Sequence, residues 1–164
     1  MNKMAEESRD KPLEILVIDD DILITSLLAE SLTAIGTKAS QANCGNDGVS
    51  MYTSRLGTKN EYDAVLTDLS MHNGDGVFVT KEIKTLNPKT QVIVVTGYEP
   101  TNEYAKLSQS LEQQRPDGIV GKPLGFLDIG HMVKQIKDVR SIRETKPDYQ
   151  PEPLSYMLPK LAQS

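Results

Sequence analysis

Hydrophobic and polar positions along this chain keep changing period. From Leu13 the run LEILVID is a block of aliphatic and β-branched residues between charged ends, which predicts a buried strand. DDILITSLLAESLTAIG follows with apolar residues at helical spacing and a glycine stop. TKASQAN predicts a short strand, CGNDGVSMYTSRL a turn and short helix, and YDAVLTD a second firm strand. After Gly74 and Gly76, VFVTKEIKTLNP puts Val77, Phe78, Ile83 and Leu86 on roughly one helical face and closes at Asn87-Pro88. TQVIVVTG is the most strand-like run of all. TNEYAKLSQSLEQQ then predicts an amphipathic helix, DGIVGKP a short strand, and GFLDIGHMVKQIKDVRSIR a last helix.

Strands and helices in strict alternation predict an α/β fold, a doubly wound five-stranded parallel sheet with helices on both faces, because right-handed crossovers place them there. In such sheets the functional crevice lies beyond the carboxyl ends of the strands. Here those ends carry Asp19, Asp20, Asp68, Thr96 and Lys122.

Length and composition then set limits. With 164 residues, 38% of them hydrophobic, the chain has material for one core and too little for two. The reading is a flexible N-terminal tail over 1–12, a body over 13–143 and a Pro-rich C-terminal tail over 144–164. Pro147, Pro151, Pro153 and Pro159 forbid a long helix in that tail. Its Leu154, Tyr156, Met157 and Leu158 are expected to dock on a partner or fold back onto the body. A net charge of −5 disfavours direct nucleic-acid binding. Cys44 is the only cysteine, so no intrachain disulfide forms and a half-buried structural thiol is expected. The start MNKMAEESRDKP has no apolar core of a leader, and no apolar run is of membrane length. The expectation is a soluble cytoplasmic protein without a membrane partner.

The chemistry is concentrated in AVLTDLSMHNGDG, residues 64–76, where an inner-strand pattern ends in a carboxylate, Asp68, and gives way to a turn. A charge at that place is costly unless a cation or hydrogen-bond donors meet it. Carboxylates crowded at strand ends raise one another's pKa, and a hard divalent ion relieves this. Mg²⁺, with Mn²⁺ as an alternative, is the expected cofactor, with Asp20 and Asp68 as direct ligands and Asp19 acting through water. If Asp68 is also a nucleophile, Lys122 and Thr96 are suited to hold oxygens of an incoming phosphoryl group.

Taken in order, ILVIDDD, DLSMHNGDG, VIVVTG and GKP resemble the response-regulator receiver domain of two-component signalling, the CheY-like family with a flavodoxin-like fold, over about Leu13 to Arg143. The resemblance implies that Asp68 accepts a phosphoryl group from the phosphohistidine of a histidine kinase or histidine phosphotransfer protein. It implies further that the Ser70 carbonyl completes the metal site, that Lys122-Pro123 is cis, and that Ser70 and Tyr98 tune dephosphorylation. The product is a switched protein-interaction surface that meets a downstream protein target, so the chain is read as a signalling phosphoacceptor and not as an enzyme. Two departures stand out: His72 where the family usually has Pro, and Ile119 where it usually has an aromatic that rotates with activation.

Blander roles compete for several of these residues. Asp21 is expected to cap the first helix, whereas Asp19 and Asp20 combine that position with the metal role. His72 and His131 read as a loop and a helix-surface residue, with no second ligand at metal spacing. The methionines read as filler. An alternative assignment is a Mg²⁺-dependent phosphatase of the haloacid dehalogenase type, with Asp19 as nucleophile and Asp21 two residues on. It meets Leu23 where a Thr is expected, finds only Asp128 after Lys122, and leaves Asp68 unexplained. A receiver fold used as an unphosphorylated interaction module is the third reading, and the intact acid set argues against it.

Overall fold

The computed structural model describes residues 11–97 and 99–156. Five strands and five helices alternate: β1 (Glu14–Ile18), α1 (Ile22–Ala34), β2 (Lys38–Ala42), α2 (Gly45–Arg55), β3 (Ala64–Asp68), α3 (Gly76–Leu86), β4 (Gln91–Thr96), α4 (Asn102–Gln114), β5 (Gly118–Gly121) and α5 (Phe126–Thr145). A further short strand, β6 (Leu154–Tyr156), follows. The sheet order is β2-β1-β3-β4-β5-β6, with every pairing parallel.

Every residue of β1 and of β4 is buried, as an inner strand covered on both faces requires. Successive side chains serve opposite layers. Ile15, Val17, Leu66, Ile93 and Val120 pack against Leu28 and Leu32 of α1 and Met132 and Ile136 of α5. Leu16, Ile18, Val65 and Val92 meet Tyr52 of α2 and Val79 and Ile83 of α3. On that second side Val94 and Leu69 join Tyr104 and Leu111 of α4.

Two expectations are adjusted. The inner face of α3 is formed by Val79, Thr80 and Ile83, while Leu86 is 42% exposed. From Ile83 the same face runs back one turn to Val79 and Thr80, so Val77 and Phe78 fall to its flanks, where they reach two different clusters. The doubly wound sheet of five strands is present, and the tail adds a sixth. The Leu154 N–H donates to the Asp117 carbonyl at 2.8 Å, and Leu154 pairs with Gly118. A Cβ at Gly118 would lie 2.8 Å from the Leu154 Cβ, so β5 has a glycine where its neighbour approaches. Side chains of α5 hold the approach to β6: Arg143 Nε donates to the Tyr149 carbonyl at 3.1 Å and Gln135 to that of Glu152 at 3.4 Å. Three residues bounded by prolines are too short to show a strand period, which is why the sequence reads as a tail there. Leu154 folds back onto the body; Met157 and Leu158 lie outside the described residues, as do residues 1–10. Among the described residues no helix is long and apolar enough to cross a membrane.

Candidate functional site

Strand register sets the site. Ile18 pairs with Thr67, Asp68 with Val95, and Thr96 with Gly121, so Asp19, Asp68 and Lys122 leave their strands at nearly one level. Single carboxylate oxygens of Asp19, Asp20 and Asp68 lie within 4.8 Å of one another. Asp19 is buried and both its oxygens are engaged: Oδ1 accepts the Asp21 N–H at 2.9 Å and Oδ2 accepts Lys122 Nζ at 2.7 Å. The same ammonium stands 3.3 Å from Asp68 Oδ1, which also accepts the Leu69 N–H at 3.0 Å. Asp20 faces solvent.

The electrostatics are those of crowded acids. Burial pushes the Asp68 carboxyl up to about 6 from an ordinary 3.8; Lys122 opposes this and Asp19 adds to it. Burial alone pulls the Lys122 ammonium down, but its contacts with Asp19 and Asp68 prevail and leave it above its ordinary value. One cation thus serves two carboxylates and a third stands by, a donor set that suits a small hard divalent ion with water completing its shell.

The loop after Asp68 is fitted closely. The Gly76 N–H donates to the Leu69 carbonyl at 2.8 Å, and a Cβ on Gly76 would come within 2.5 Å of the Asp68 carbonyl oxygen. The Asn46 N–H, at the start of α2, donates to the Asn73 carbonyl at 2.9 Å, and Gly45 beneath leaves no room for a side chain against Gly74. Gly74 itself has φ +100°, a conformation glycine adopts without strain. Gly45 and Gly76 were not singled out as site residues by the sequence reading. Their spacing from Asp68 was visible, but the close approach that requires them is a tertiary fact.

Other expected positions are distributed as follows. Thr96 is buried at the end of β4, and its hydroxyl donates to the Gly97 carbonyl at 3.1 Å rather than to a site carboxylate. Its own carbonyl accepts the Lys122 N–H at 2.8 Å, coupling the two strand ends. Lys122-Pro123 is cis. Ser70 is partly buried in the loop two residues beyond Asp68. Ile119 is partly buried against the cluster of Leu69, Val94, Tyr104 and Leu111. Tyr98 lies outside the described residues. Asp21 caps α1, accepting the Leu23 and Ile24 N–H groups. Its Oδ1 is committed to the first turn of that helix. His72 and His131 are exposed, on the loop and on α5. Cys44 is half-buried and caps α2 through its sulfur.

An apolar rim flanks the acids on one side. Ile22, Leu23 and Leu27 of α1 and Phe126 and Leu127 of α5 are 62% to 81% exposed, and both helix starts adjoin the crevice. Beside α1 an apolar pocket of about 180 Å³ is lined by Leu27, Leu28, Pro123 and Leu124, with Lys122 in its wall. The triplet Ile22-Leu23-Ile24 at the start of α1 was the available signal, since one helix face cannot bury three consecutive residues.

Comparison with known proteins agrees with this geometry. The profile of the response regulator receiver domain matches residues 15–134. The transcriptional regulatory protein ZraR of Escherichia coli is 36% identical over 114 residues, 70% of this chain and 24% of that protein. The sensor histidine kinase RcsC of Salmonella typhimurium is 32% identical over 123 residues, 75% of this chain and 12% of that protein. The chain thus spans a quarter or less of the length of these curated relatives. Among solved structures, a receiver domain protein from Clostridium thermocellum superposes with a TM-score of 0.68 at 23% identity, covering 79% of this chain and 98% of its own. A CheY-like receiver domain protein from Methanospirillum hungatei gives 0.67 at 22%, covering 81% and 99%. At such identities the two structures speak for the fold alone.

Proposed function

Because the chain belongs to the response regulator receiver domain family, the phosphoacceptor module of two-component signalling, we propose that Asp68 is its phosphoacceptor and the acids around it a Mg²⁺ site. The observation that carries this reading is Lys122 Nζ lying between Asp19 at 2.7 Å and Asp68 at 3.3 Å. A carboxylate oxygen of Asp68 attacks the phosphorus of a donor phosphohistidine; the P–N bond breaks, a P–O bond forms, and the imidazole leaves. The product is an acyl phosphate. Asp68 must be ionised to attack, and with a carboxyl at about 6 it is largely so near neutrality.

Asp19, Asp20, Asp68 and the carbonyl of Ser70 are the ligands we assign to the ion. Bound there, Mg²⁺ or Mn²⁺ supplies positive charge against the phosphoryl oxygens. Lys122 is placed to leave Asp19 for a phosphoryl oxygen once a new dianion sits on Asp68, and Thr96 to give up its bond to the Gly97 carbonyl for another. Because Thr96 and Lys122 share a backbone bond, both strand ends move together, and with them the α4 cluster around Ile119. The aliphatic Ile119 cannot offer a hydroxyl, so the switch is one of packing. The donor protein, a histidine kinase or histidine phosphotransfer protein, docks on the apolar rim of Leu23, Leu27 and Leu127. A downstream protein reads the altered surface. Ser70 and Tyr98 set the rate of hydrolysis. We assign the segment from Lys146 to Tyr156 to the body through β6, and the setting of the whole to the cytoplasm.

Incubation with acetyl phosphate and Mg²⁺, followed by intact mass, is the test. One phosphoryl group labile to base and hydroxylamine is expected, absent in Asp68→Asn. Label that survives Asp68→Asn but vanishes in Asp19→Asn would overturn the assignment in favour of the phosphatase reading.

A further inference from the structure

At the other end of the sheet from the acids, a second polar site is built from the entry to β3, the entry to β4 and the last turns of α5. Its pocket, about 160 Å³, is lined by Tyr62, Asp63, Lys89, Thr90, Arg140 and Arg143 among others. Two atoms there are buried and have no hydrogen-bond partner: the Tyr62 hydroxyl and Arg143 Nη2. Leaving a buried donor unmet costs roughly 1–3 kcal/mol, more when it is charged. Two such donors on residues that line one pocket point to a ligand that accepts.

The rest of each side chain is committed, and both residues line the pocket. The Tyr62 ring, 4% exposed, stacks on Tyr52 at 6.4 Å and lies under the Arg55 guanidinium at 4.5 Å. Arg143 donates through Nε to Tyr149 and through Nη1 to the Lys89 carbonyl. The Thr90 hydroxyl is paired with that of Tyr52. Charge distinguishes an anion from water as the occupant. Asp63 is engaged by Arg140 and by the Glu14 N–H. Among the described residues neither Arg143 nor Lys89 has a carboxylate partner. Two cations therefore stand unneutralised here in a chain of net charge −5. Water would answer the hydrogen bonds and leave the charge.

We propose that this pocket at the amino ends of β3 and β4 binds a small oxyanion of phosphate size, held by Arg143, Tyr62 and Lys89. Its volume matches about five waters at roughly 30 Å³ each, below the range of about 300 Å³ at which pockets enclose drug-sized molecules. A phosphate group fits and a nucleoside stays outside. Because Arg143 also grips Tyr149, the anion fastens the end of α5 and the start of the tail to the sheet.

The test is a titration of the full chain, in EDTA and at constant ionic strength, with inorganic phosphate, followed by backbone amide shifts. Saturable changes centred on Tyr62, Lys89 and Arg143 are expected, and they persist in Asp68→Asn. Arg143→Gln should abolish them. Tyr62→Phe, which keeps the ring packing, should weaken binding at least threefold while melting no lower than the native chain in phosphate-free buffer. A parallel titration with ADP identifies the source: tighter saturation than phosphate at the same amides means a nucleotide phosphate, equal or weaker saturation a free one. Linear shifts reproduced by chloride, or saturation indifferent to both variants, would overturn the proposal and leave solvent in the pocket.

Discussion

Asp68 has conflicting demands placed on it by its surroundings. It is half buried among acids, and only Lys122 and the Leu69 N–H oppose the burial that raises its carboxyl to about 6. An acid whose folded value lies above its unfolded one favours the native state below that unfolded value, and the advantage is lost as pH rises from 3.8 through about 6. At neutral pH without metal the native chain therefore carries a strained anion. Asp68→Asn is expected to raise the melting temperature above pH 6, by up to roughly 3 kcal/mol of stability at the most, and to change nothing below about pH 4. Mg²⁺ should raise the melting temperature of the native chain above pH 6, progressively less as protons compete for Asp68, and barely at all in Asp68→Asn. Thermal melts from pH 4 to 8, with Mg²⁺ or EDTA, check both; a variant that is less stable at pH 7 would contradict the account.

Among the elements, β5 carries the most. It ends one residue before Lys122, contains Ile119, and receives β6 on its outer edge. An uncovered edge strand invites pairing with other chains, and here the tail occupies it. The fit depends on Gly118 beneath Leu154. Leu154→Ala is expected to cost about 2 kcal/mol in denaturant unfolding. Gly118→Ala should cost about 1–3 kcal/mol by overpacking, and less once Leu154 is Gly, because the added methyl meets the Leu154 Cβ itself, with a coupling near 1 kcal/mol. Additive effects would mean that β6 does not rest on β5 in solution. The loop between β3 and α3 depends in the same way on Gly76, whose replacement by Ala presses on the Asp68 carbonyl. That change should weaken the Mg²⁺ response in the same melts without touching a ligand.

For the molecule as a whole, the large apolar side chains left in water are unevenly placed. Apart from Leu86, those among the described residues border the acidic crevice. A surface of this kind on one side of a charged site fits a partner that brings both an apolar helix face and a phosphoryl group. Leu23→Asp and Leu127→Asp, both at well-exposed positions, should leave stability within about 0.5 kcal/mol. Transfer from a phosphorylated donor protein should fall at least tenfold while labelling by acetyl phosphate is unchanged. Equal losses in the two assays would move the effect from docking to chemistry.

Local pattern was enough for the order of elements, because a covered parallel strand must be an unbroken apolar run, as in ILVI and VIVV, and a helix must repeat at its own period. Topology alone makes Asp19, Asp68 and Lys122 neighbours, since parallel strands end at one edge. The cap role of Asp21 was legible for the same reason, being local. What lay beyond local pattern was decided by packing: the place of Leu86, the sixth strand at Gly118, the glycines at 45 and 76 beneath the loop, and the unmet donors of Tyr62 and Arg143. Each of these depends on which surfaces of separate segments meet, and periodicity within an element carries no record of that.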